Sequence, residues 1–312
     1  MFIWFSISIY KQISNQKDFL NTWDNIKNNF SVSQWISCII VFLLMFVNWG
    51  IESKKWQIVI KEVEKISFGK AFRAVFSGQA FALNTINNIG EFVGRVLFLK
   101  EGNRLRAISV TMVGSLSQVI VTFVMGAVSL FLARLLFSQE GLGDGGVSAF
   151  WYIGLMFILT TCTILLLMVY YSLSWVIKAF EKRWFVKKYA FLIQKVEDFH
   201  ARELTIILLF SFSRYIVFVL QYLILLHVFQ VEANPLLLIL MICIIFLILA
   251  IVPTIALTEL GLRGQASVFM LGLVSTNTTG IMFTATVIWV INRAFPALAG
   301  SLFILGVKLF KK

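Results

Sequence analysis

The stretch NNIGEFVGR, residues 87–95, places Glu91 and Arg95 four positions apart inside an otherwise apolar segment. The stretch ALTELGLRG, residues 256–264, repeats this spacing with Glu259 and Arg263. Glu followed four residues later by Arg is the favourable orientation for a pair on one helix face. Both motifs adjoin glycines and follow a run that interrupts a helix. The two stretches therefore predict paired charges beside two helix breaks.

The chain around these motifs has the composition of an integral membrane protein. Of its 312 residues, 59% are hydrophobic and only 13% are charged, and the mean hydropathy is +0.89. A bilayer core is crossed by roughly 20 apolar residues of helix, and continuous runs favour helices over the alternating segments of a β-barrel. We predict an all-α, polytopic membrane protein whose candidate spans are 33–51, 107–133, 149–177, 204–229, 233–258 and 264–292.

The sequence predicts one membrane domain at 33–312, preceded by an interfacial or truncated segment at 1–32. The net charge of +12 is carried by short loops between apolar runs, which favours contact with lipid headgroups over nucleic acid. Cys38, Cys162 and Cys243 each lie in an apolar run, so we expect small buried side chains and neither disulfides nor a metal cluster.

The distribution of lysine and arginine predicts the orientation. Basic loops at 52–73, 100–106 and 178–203 and the C-terminal lysines are expected in the cytoplasm, with the sparse loops 134–148 and 230–234 outside. With these sides fixed, each motif must lie in a segment that enters and leaves on one side. We predict two opposed re-entrant hairpins, broken around 83–90 and 253–261, in the manner of an inverted repeat.

Ionisable residues at membrane depth are costly and are usually paired or exposed to a wet cavity. Each Glu/Arg pair could satisfy itself and fix its hairpin, or could contribute to a site for a polar headgroup. Glu52, with Asn48, Trp49 and Trp56, is interpreted as an anchoring belt at the end of the first span. The candidate headgroup-binding residues are Asn84, Asn87, Asn88, Glu91, Arg95, Arg214, Glu259, Arg263, Asn292 and Arg293.

No sequence motif for catalysis, metal binding or nucleotide binding is found, and two histidines provide little for general base chemistry. We therefore expect a protein that is not an enzyme and needs no cofactor.

The order of motifs resembles the lysylphosphatidylglycerol synthase transmembrane-region family. The likeness is carried, from about residue 33 to the end, by VNWGIESKKWQIVI, NTINNIGEFVGRVLFLK, PTIALTELGLRGQASVFMLG and WVINRAFPALAGSLF. Asn84 and Asn87 stand where the family typically has proline and glycine, and Gln265 stands where a glutamate often follows. From the resemblance we expect that the family's usual first span is missing or truncated here, and we expect no synthesis of lysyl-lipid, because the 312 residues contain no aminoacyl-transferring domain.

The resemblance implies a flippase-like protein that moves a polar lipid, a phospholipid or an isoprenoid-linked lipid with an anionic or zwitterionic headgroup, between leaflets. Two alternatives remain open. One is an accessory scaffold that binds a lipid-modifying or glycosylating enzyme through its basic loops. The other is an ion-coupled transporter of a small water-soluble solute.

Overall fold

The computed structural model describes residues 31–83, 85–139, 149–173, 196 and 199–305. Within these ranges the chain is helical and contains no strand, which confirms the predicted class. Five segments are long and apolar enough to cross a membrane: Val32–Ile60, Glu101–Leu136, Phe150–Tyr171, Ala201–Val228 and Thr278–Leu305. The helices are α1 (Val32–Ile60), α2 (Phe68–Ala82), α3 (Gly90–Val96), α4 (Arg104–Gln139), α5 (Ala149–Tyr171), α6 (Ala201–Val228), α7 (Pro235–Ile251), α8 (Ala256–Leu271), α9 (Thr278–Trp289) and α10 (Phe295–Leu305).

The first span is longer than the sequence predicts. α1 begins at a Ser31 cap and continues nine residues beyond Ile51, to Ile60. The predicted cytoplasmic loop 52–73 is therefore wrong in extent, because the connector is only 61–67 and α2 begins at Phe68. Residues 104–106 of the second basic loop likewise belong to α4. Most of loop 178–203, most of 134–148 and the C-terminal lysines lie outside the described residues.

α1 and α6 pack against each other in antiparallel directions. Near the start of α1, Gln34 Nε2 donates to the Val228 carbonyl oxygen at the end of α6 (2.9 Å). Near the end of α1, Lys55 Nζ donates to Ser211 Oγ (3.2 Å). The connector after α1 and the connector after α6 consequently leave from opposite ends of this helix pair.

The first connector leads into a hairpin of α2 and α3. The hairpin arms cross closely at two glycines, because a Cβ on Gly94 would stand only 2.6 Å from Gly78 Cα. At the break, Asn87 (φ 50°) and Asn88 (φ 58°) adopt the left-handed conformation that asparagine tolerates better than most residues.

The base of this first hairpin is held by Glu64, which follows α1. Glu64 Oε2 accepts from the Lys100 backbone N–H (3.0 Å) and from Asn103 Nδ2 (3.1 Å), and Oε1 pairs with Lys70 Nζ (3.1 Å). Partial burial alone would raise the pKa of the Glu64 carboxyl, but these hydrogen bonds outweigh it, and the pKa lies below its usual value.

The second connector leads into a hairpin of α7 and α8. α7 ends at Ile251, just before Pro253, and α8 begins at Ala256. The two breaks meet: the Asn87 N–H donates to the Thr254 carbonyl (2.9 Å), and the Thr254 N–H donates to Asn87 Oδ1 (3.2 Å). The hairpins thus start from opposite ends of the α1/α6 pair and touch at their tips, while their re-entrant position in a bilayer stays a prediction.

The last span, α9 and α10, is interrupted by a π-helical segment at Val290–Ala294. Pro296 follows this segment and has no N–H to give to the Asn292 carbonyl, which explains the local widening. Beyond it, Gly300 approaches α2 so closely that a Cβ there would lie 1.9 Å from the Phe76 carbonyl oxygen. The small residue allows the last span to pack directly against the first hairpin.

Candidate functional site: a charged cavity between the two hairpins

A cavity of about 410 Å³ lies where both hairpins meet α1, α4, α6 and the π-helical segment. Its volume falls within the range of about 300 to 1,000 Å³ that is usual for small-ligand pockets. Its lining combines charged residues with apolar ones, among them Phe218, Phe246 and Leu249. Val119 and Ala250 also line it and are themselves exposed, so apolar residues of the lining reach the surface of the protein.

Glu52 of α1 is the centre of the first charged cluster. Its Oε1 pairs with Arg95 Nη2 (2.8 Å), and its Oε2 pairs with both Arg214 Nη1 (2.8 Å) and Lys55 Nζ (2.8 Å). Arg95 also pairs with Glu91, its partner in the first motif. Glu52 is only 3% exposed, and one carboxylate therefore joins α1, α3 and α6 in the interior of the protein.

Further hydrogen bonds within the protein satisfy most of the remaining donors of this first cluster. Lys55 Nζ also donates to the Gly114 carbonyl (3.1 Å) and to Ser211, so its three N–H groups all have acceptors. Arg214 donates from Nε to Asn48 Oδ1 (2.7 Å), and its guanidinium lies 4.7 Å from the centre of the Trp49 ring.

The interpretation of Asn48, Trp49, Glu52 and Trp56 as an interfacial belt is wrong. Asn48 is fully buried, and both tryptophans are 1% exposed. The signal in the sequence was the spacing of Asn48, Glu52 and Lys55, which places all three on one face of a helix. That signal is visible only if the helix continues past Ile51, where the hydropathy falls.

Glu259 of α8 is the centre of the second charged cluster. Its Oε1 pairs with Arg263 Nη2 (2.6 Å), and its Oε2 lies 3.4 Å from Arg293 Nη2. Arg293 Nη1 also donates to Gln79 Oε1 (3.2 Å), which connects the second motif to α2 of the first hairpin. Neither motif pair is isolated, because each is extended by a residue from another helix.

Three polar side chains of the site, those of Arg214, Asn292 and Arg293, lie near the middle of a span. Arg214 is the fourteenth of the 28 residues of α6, and Arg293 is the sixteenth of the 28 residues of the span Thr278–Leu305. Asn292, beside Arg293, donates to Gln221 Oε1 (3.1 Å). Arg214 points to Glu52 and Asn48 inside the bundle, so it does not extend back toward the headgroup region.

The structure brings most of the predicted site residues together. Those that line the cavity are Asn87, Asn88, Glu91, Arg214, Glu259, Arg263, Asn292 and Arg293. Arg95 is 3% exposed and does not line the cavity; it holds Glu52 and Glu91 from behind. Asn84 lies outside the described residues. Glu52, Lys55, Gln79 and Gln118 line the cavity and were missed as site residues.

Over the described residues, the two clusters contain five basic side chains and three carboxylates. The basic residues are Lys55, Arg95, Arg214, Arg263 and Arg293, and the acidic residues are Glu52, Glu91 and Glu259. The site therefore has an excess of two positive charges. In a buried environment such an excess favours the binding of an anion.

Comparison with known proteins agrees with the architecture. The family described as the lysylphosphatidylglycerol synthase TM region matches residues 17–300, which is nearly the whole chain and includes both hairpins and the last span to Gly300. No curated protein and no solved structure matches the chain. With five segments capable of crossing a membrane and a match of this extent, the chain is a multi-pass integral membrane protein that belongs to the lysylphosphatidylglycerol synthase transmembrane-region family.

Proposed function

We propose that this protein binds a polar-headed membrane lipid and translocates it between leaflets without catalysing a reaction. The observation that carries the proposal is the cavity, in which buried charges from both hairpins border apolar surface. Such a wall suits an amphipathic molecule, because the headgroup contacts charged groups while its acyl chains remain among apolar ones.

The route follows from the position of the hairpins. Each hairpin starts from a different end of the α1/α6 pair, and their tips touch through Asn87 and Thr254. A headgroup from either leaflet would then reach a common site near the middle of the membrane along the polar residues of the hairpin on its own side. Separation of the tips on either side would give the site access to one leaflet at a time.

The side chains divide into two roles under this proposal. Arg263 and Arg293 contact the phosphate of the headgroup, and Glu259 balances their charge. Arg95 and Lys55 hold Glu52 and thereby fix the helices around the cavity. We further propose that the protein lies in the cytoplasmic membrane with its basic loops and C-terminus in the cytoplasm, as the positive-inside rule indicates.

A translocation assay in reconstituted vesicles tests the proposal. The rate at which a fluorescent lipid becomes accessible to a membrane-impermeant quencher is measured for wild type, Arg263→Gln and Arg293→Gln. We expect about a tenfold or greater loss in each variant, since each removes a charge-assisted contact. Lys54→Gln is the matched control, because Lys54 is exposed, does not line the cavity and, among the described residues, donates to Gln57 of its own helix. Wild-type rates in both arginine variants would contradict the mechanism.

Complementation in cells and ligand binding without lipid separate the two alternatives from the proposal. A scaffold would tolerate both arginine changes in cells and lose its effect when loop 178–203 is altered, whereas a solute transporter would bind its ligand in the absence of lipid. A lipid translocator requires the arginines and leaves the sequence of that loop largely free to vary.

A further inference from the structure

Buried hydrogen-bond donors without a partner are concentrated on the cavity wall. Within the described part of the chain, Trp49 Nε1, Gln79 Nε2, Arg263 Nε and Trp289 Nε1 are buried and have no acceptor. All four residues line the cavity, and Trp49 and Gln79 are only 1% and 2% exposed. Buried polar groups are normally paired, so each of these donors requires an explanation.

The unpaired acceptors on the same wall are fewer. Among the described lining residues, Gln118 Oε1 and Asn292 Oδ1 are buried atoms that can only accept and have no donor, and the unpaired Tyr215 hydroxyl can either donate or accept. Four groups on this wall can only donate, two can only accept and one can do either, and this excess of donors indicates a ligand that mainly accepts hydrogen bonds. A phosphate group has this property, whereas a sugar or an amine donates as well.

The charge of the site sets the charge of that ligand. One positive charge is uncompensated in each of the two clusters, and both clusters line the same cavity, so an anion there is exposed to an excess of two positive charges. A zwitterionic headgroup would leave both charges unbalanced, and a phosphodiester with one negative charge would leave one. A group with two negative charges balances them completely.

The second cluster is where this anion fits. Arg263 and Arg293 share the two oxygens of Glu259, which places their guanidinium groups next to each other. The contact of Arg293 with Glu259 is long, at 3.4 Å, and the Gln79 amide accepts from Arg293 while its own Nε2 remains unpaired. Arg263 Nε and Gln79 Nε2 are therefore donors in this cluster that the described protein leaves unpaired, and both residues belong to the group of side chains around the Arg293 guanidinium.

We propose that the cavity is selective for a phosphate group with two negative charges, a phosphomonoester or a diphosphate, held by Arg263, Arg293 and Gln79. The inference rests on the proposed function, because it names the class of headgroup that the translocator accepts. Phosphodiester lipids, whether zwitterionic or with one negative charge, are then poor substrates.

Native mass spectrometry of the purified protein tests this selectivity without any mutation. The protein is equilibrated with equal amounts of dioleoyl phosphatidic acid, phosphatidylglycerol and phosphatidylethanolamine, which share their acyl chains. At pH 8 we expect phosphatidic acid to be retained about tenfold more than either diester. At pH 5 the preference over phosphatidylglycerol should largely disappear, because a phosphomonoester loses its second charge with a pKa of about 6.

Variants locate the anion. Arg293→Gln and Gln79→Leu should abolish the preference at pH 8, while Lys54→Gln should leave it unchanged. Arg293→Lys keeps the charge at the same place and should retain a reduced preference, which separates loss of the site from failure to fold. An unchanged preference in Arg293→Gln would overturn the assignment to the second cluster.

The other outcomes distinguish the inference from the proposed function. Equal retention and equal translocation rates for all three lipids would overturn the inference and leave lipid translocation standing. Binding of inorganic phosphate at pH 8, without retention or translocation of any lipid, would support the dianion and overturn the lipid as its source. Retention of no lipid together with no binding of phosphate would overturn both.

Discussion

The two Glu-x-x-x-Arg motifs have the same spacing and different surroundings. In the first cluster the side chains of Glu52, Lys55 and Arg95 are between 2% and 4% exposed, Arg214 and Glu91 are 12% and 20% exposed, and the three contacts of Glu52 are each 2.8 Å. In the second cluster Arg263 and Arg293 are 13% and 23% exposed, and one contact is 3.4 Å. The first cluster is suited to fixing helices and the second to meeting a ligand.

The difference arises from the third charged residue that each Glu/Arg pair contacts in the folded protein. Glu91 and Arg95 meet an additional carboxylate, Glu52, so that Nη2 of Arg95 is shared between two carboxylates and Arg95 lies behind the cavity wall. Glu259 and Arg263 meet an additional cation, Arg293, which adds positive charge to the cavity. A short motif therefore takes opposite roles according to the sign of its third partner.

The largest expected effect is on stability, from Glu52→Gln. The change leaves Lys55, Arg95 and Arg214 with one carboxylate among them, and removal of one partner from a buried ion pair typically costs about 3 to 5 kcal/mol. Glu259→Gln should cost clearly less, because its partners are more exposed. Thermal unfolding of both variants in the same detergent measures this difference; equal losses would remove the distinction between the clusters.

A smaller effect is expected at the glycines beside the two arginines. Gly94→Ala should destabilise the protein by about 1 to 3 kcal/mol, because the added methyl group would overlap the backbone of Gly78. Gly264→Ala should be neutral or slightly stabilising, since the nearest atom to its Cβ is the Met282 sulfur at 3.7 Å. If both variants unfold at the wild-type temperature, the close crossing in the first hairpin is not a constraint.

The hairpin tips should respond to backbone conformation more than to side chain chemistry. Asn87 has a φ of 50°, and a β-branched residue there should cost about 1 to 2 kcal/mol, so Asn87→Val is expected to lower both stability and translocation. Asn87→Gly relieves the strain and keeps the backbone hydrogen bond to Thr254, and it should stay close to wild type. If Asn87→Gly lowers stability and translocation as much as Asn87→Val does, the side-chain amide of Asn87 is itself required.

The smallest effect is a pH dependence at the base of the first hairpin. Because the pKa of the Glu64 carboxyl is lower in the folded protein than its usual value of 4.5, ionised Glu64 stabilises the fold above about that pH. This contribution is lost as the pH falls through the folded-state pKa. Unfolding profiles of wild type and Glu64→Gln should therefore converge below pH 4.5, and a constant difference down to pH 3 would assign the effect to another group.

Much of the fold could be predicted because it depends on local composition. The helical breaks at 83–89 and 252–255 coincide with the runs that contain asparagine, glycine and proline, and the family resemblance led to the correct family. The end of α1 was mispredicted because Glu52, Lys54 and Lys55 lower the hydropathy, although two of the three are buried in ion pairs. Hydropathy does not distinguish a charge in a loop from a charge neutralised by a distant partner.

The sequence by itself determined that the protein is helical, that it belongs in a membrane and that two helix breaks each precede a Glu/Arg pair. Periodicity, hydropathy and turn chemistry are local properties, and they act through residues a few positions apart. Only the tertiary structure decided that Glu52 serves the first pair and Arg293 the second, across separations of 43 residues and 34 residues. Those contacts depend on the packing of antiparallel helices. This packing brings charges that are distant in the sequence together and sets the sign of the net charge around the cavity.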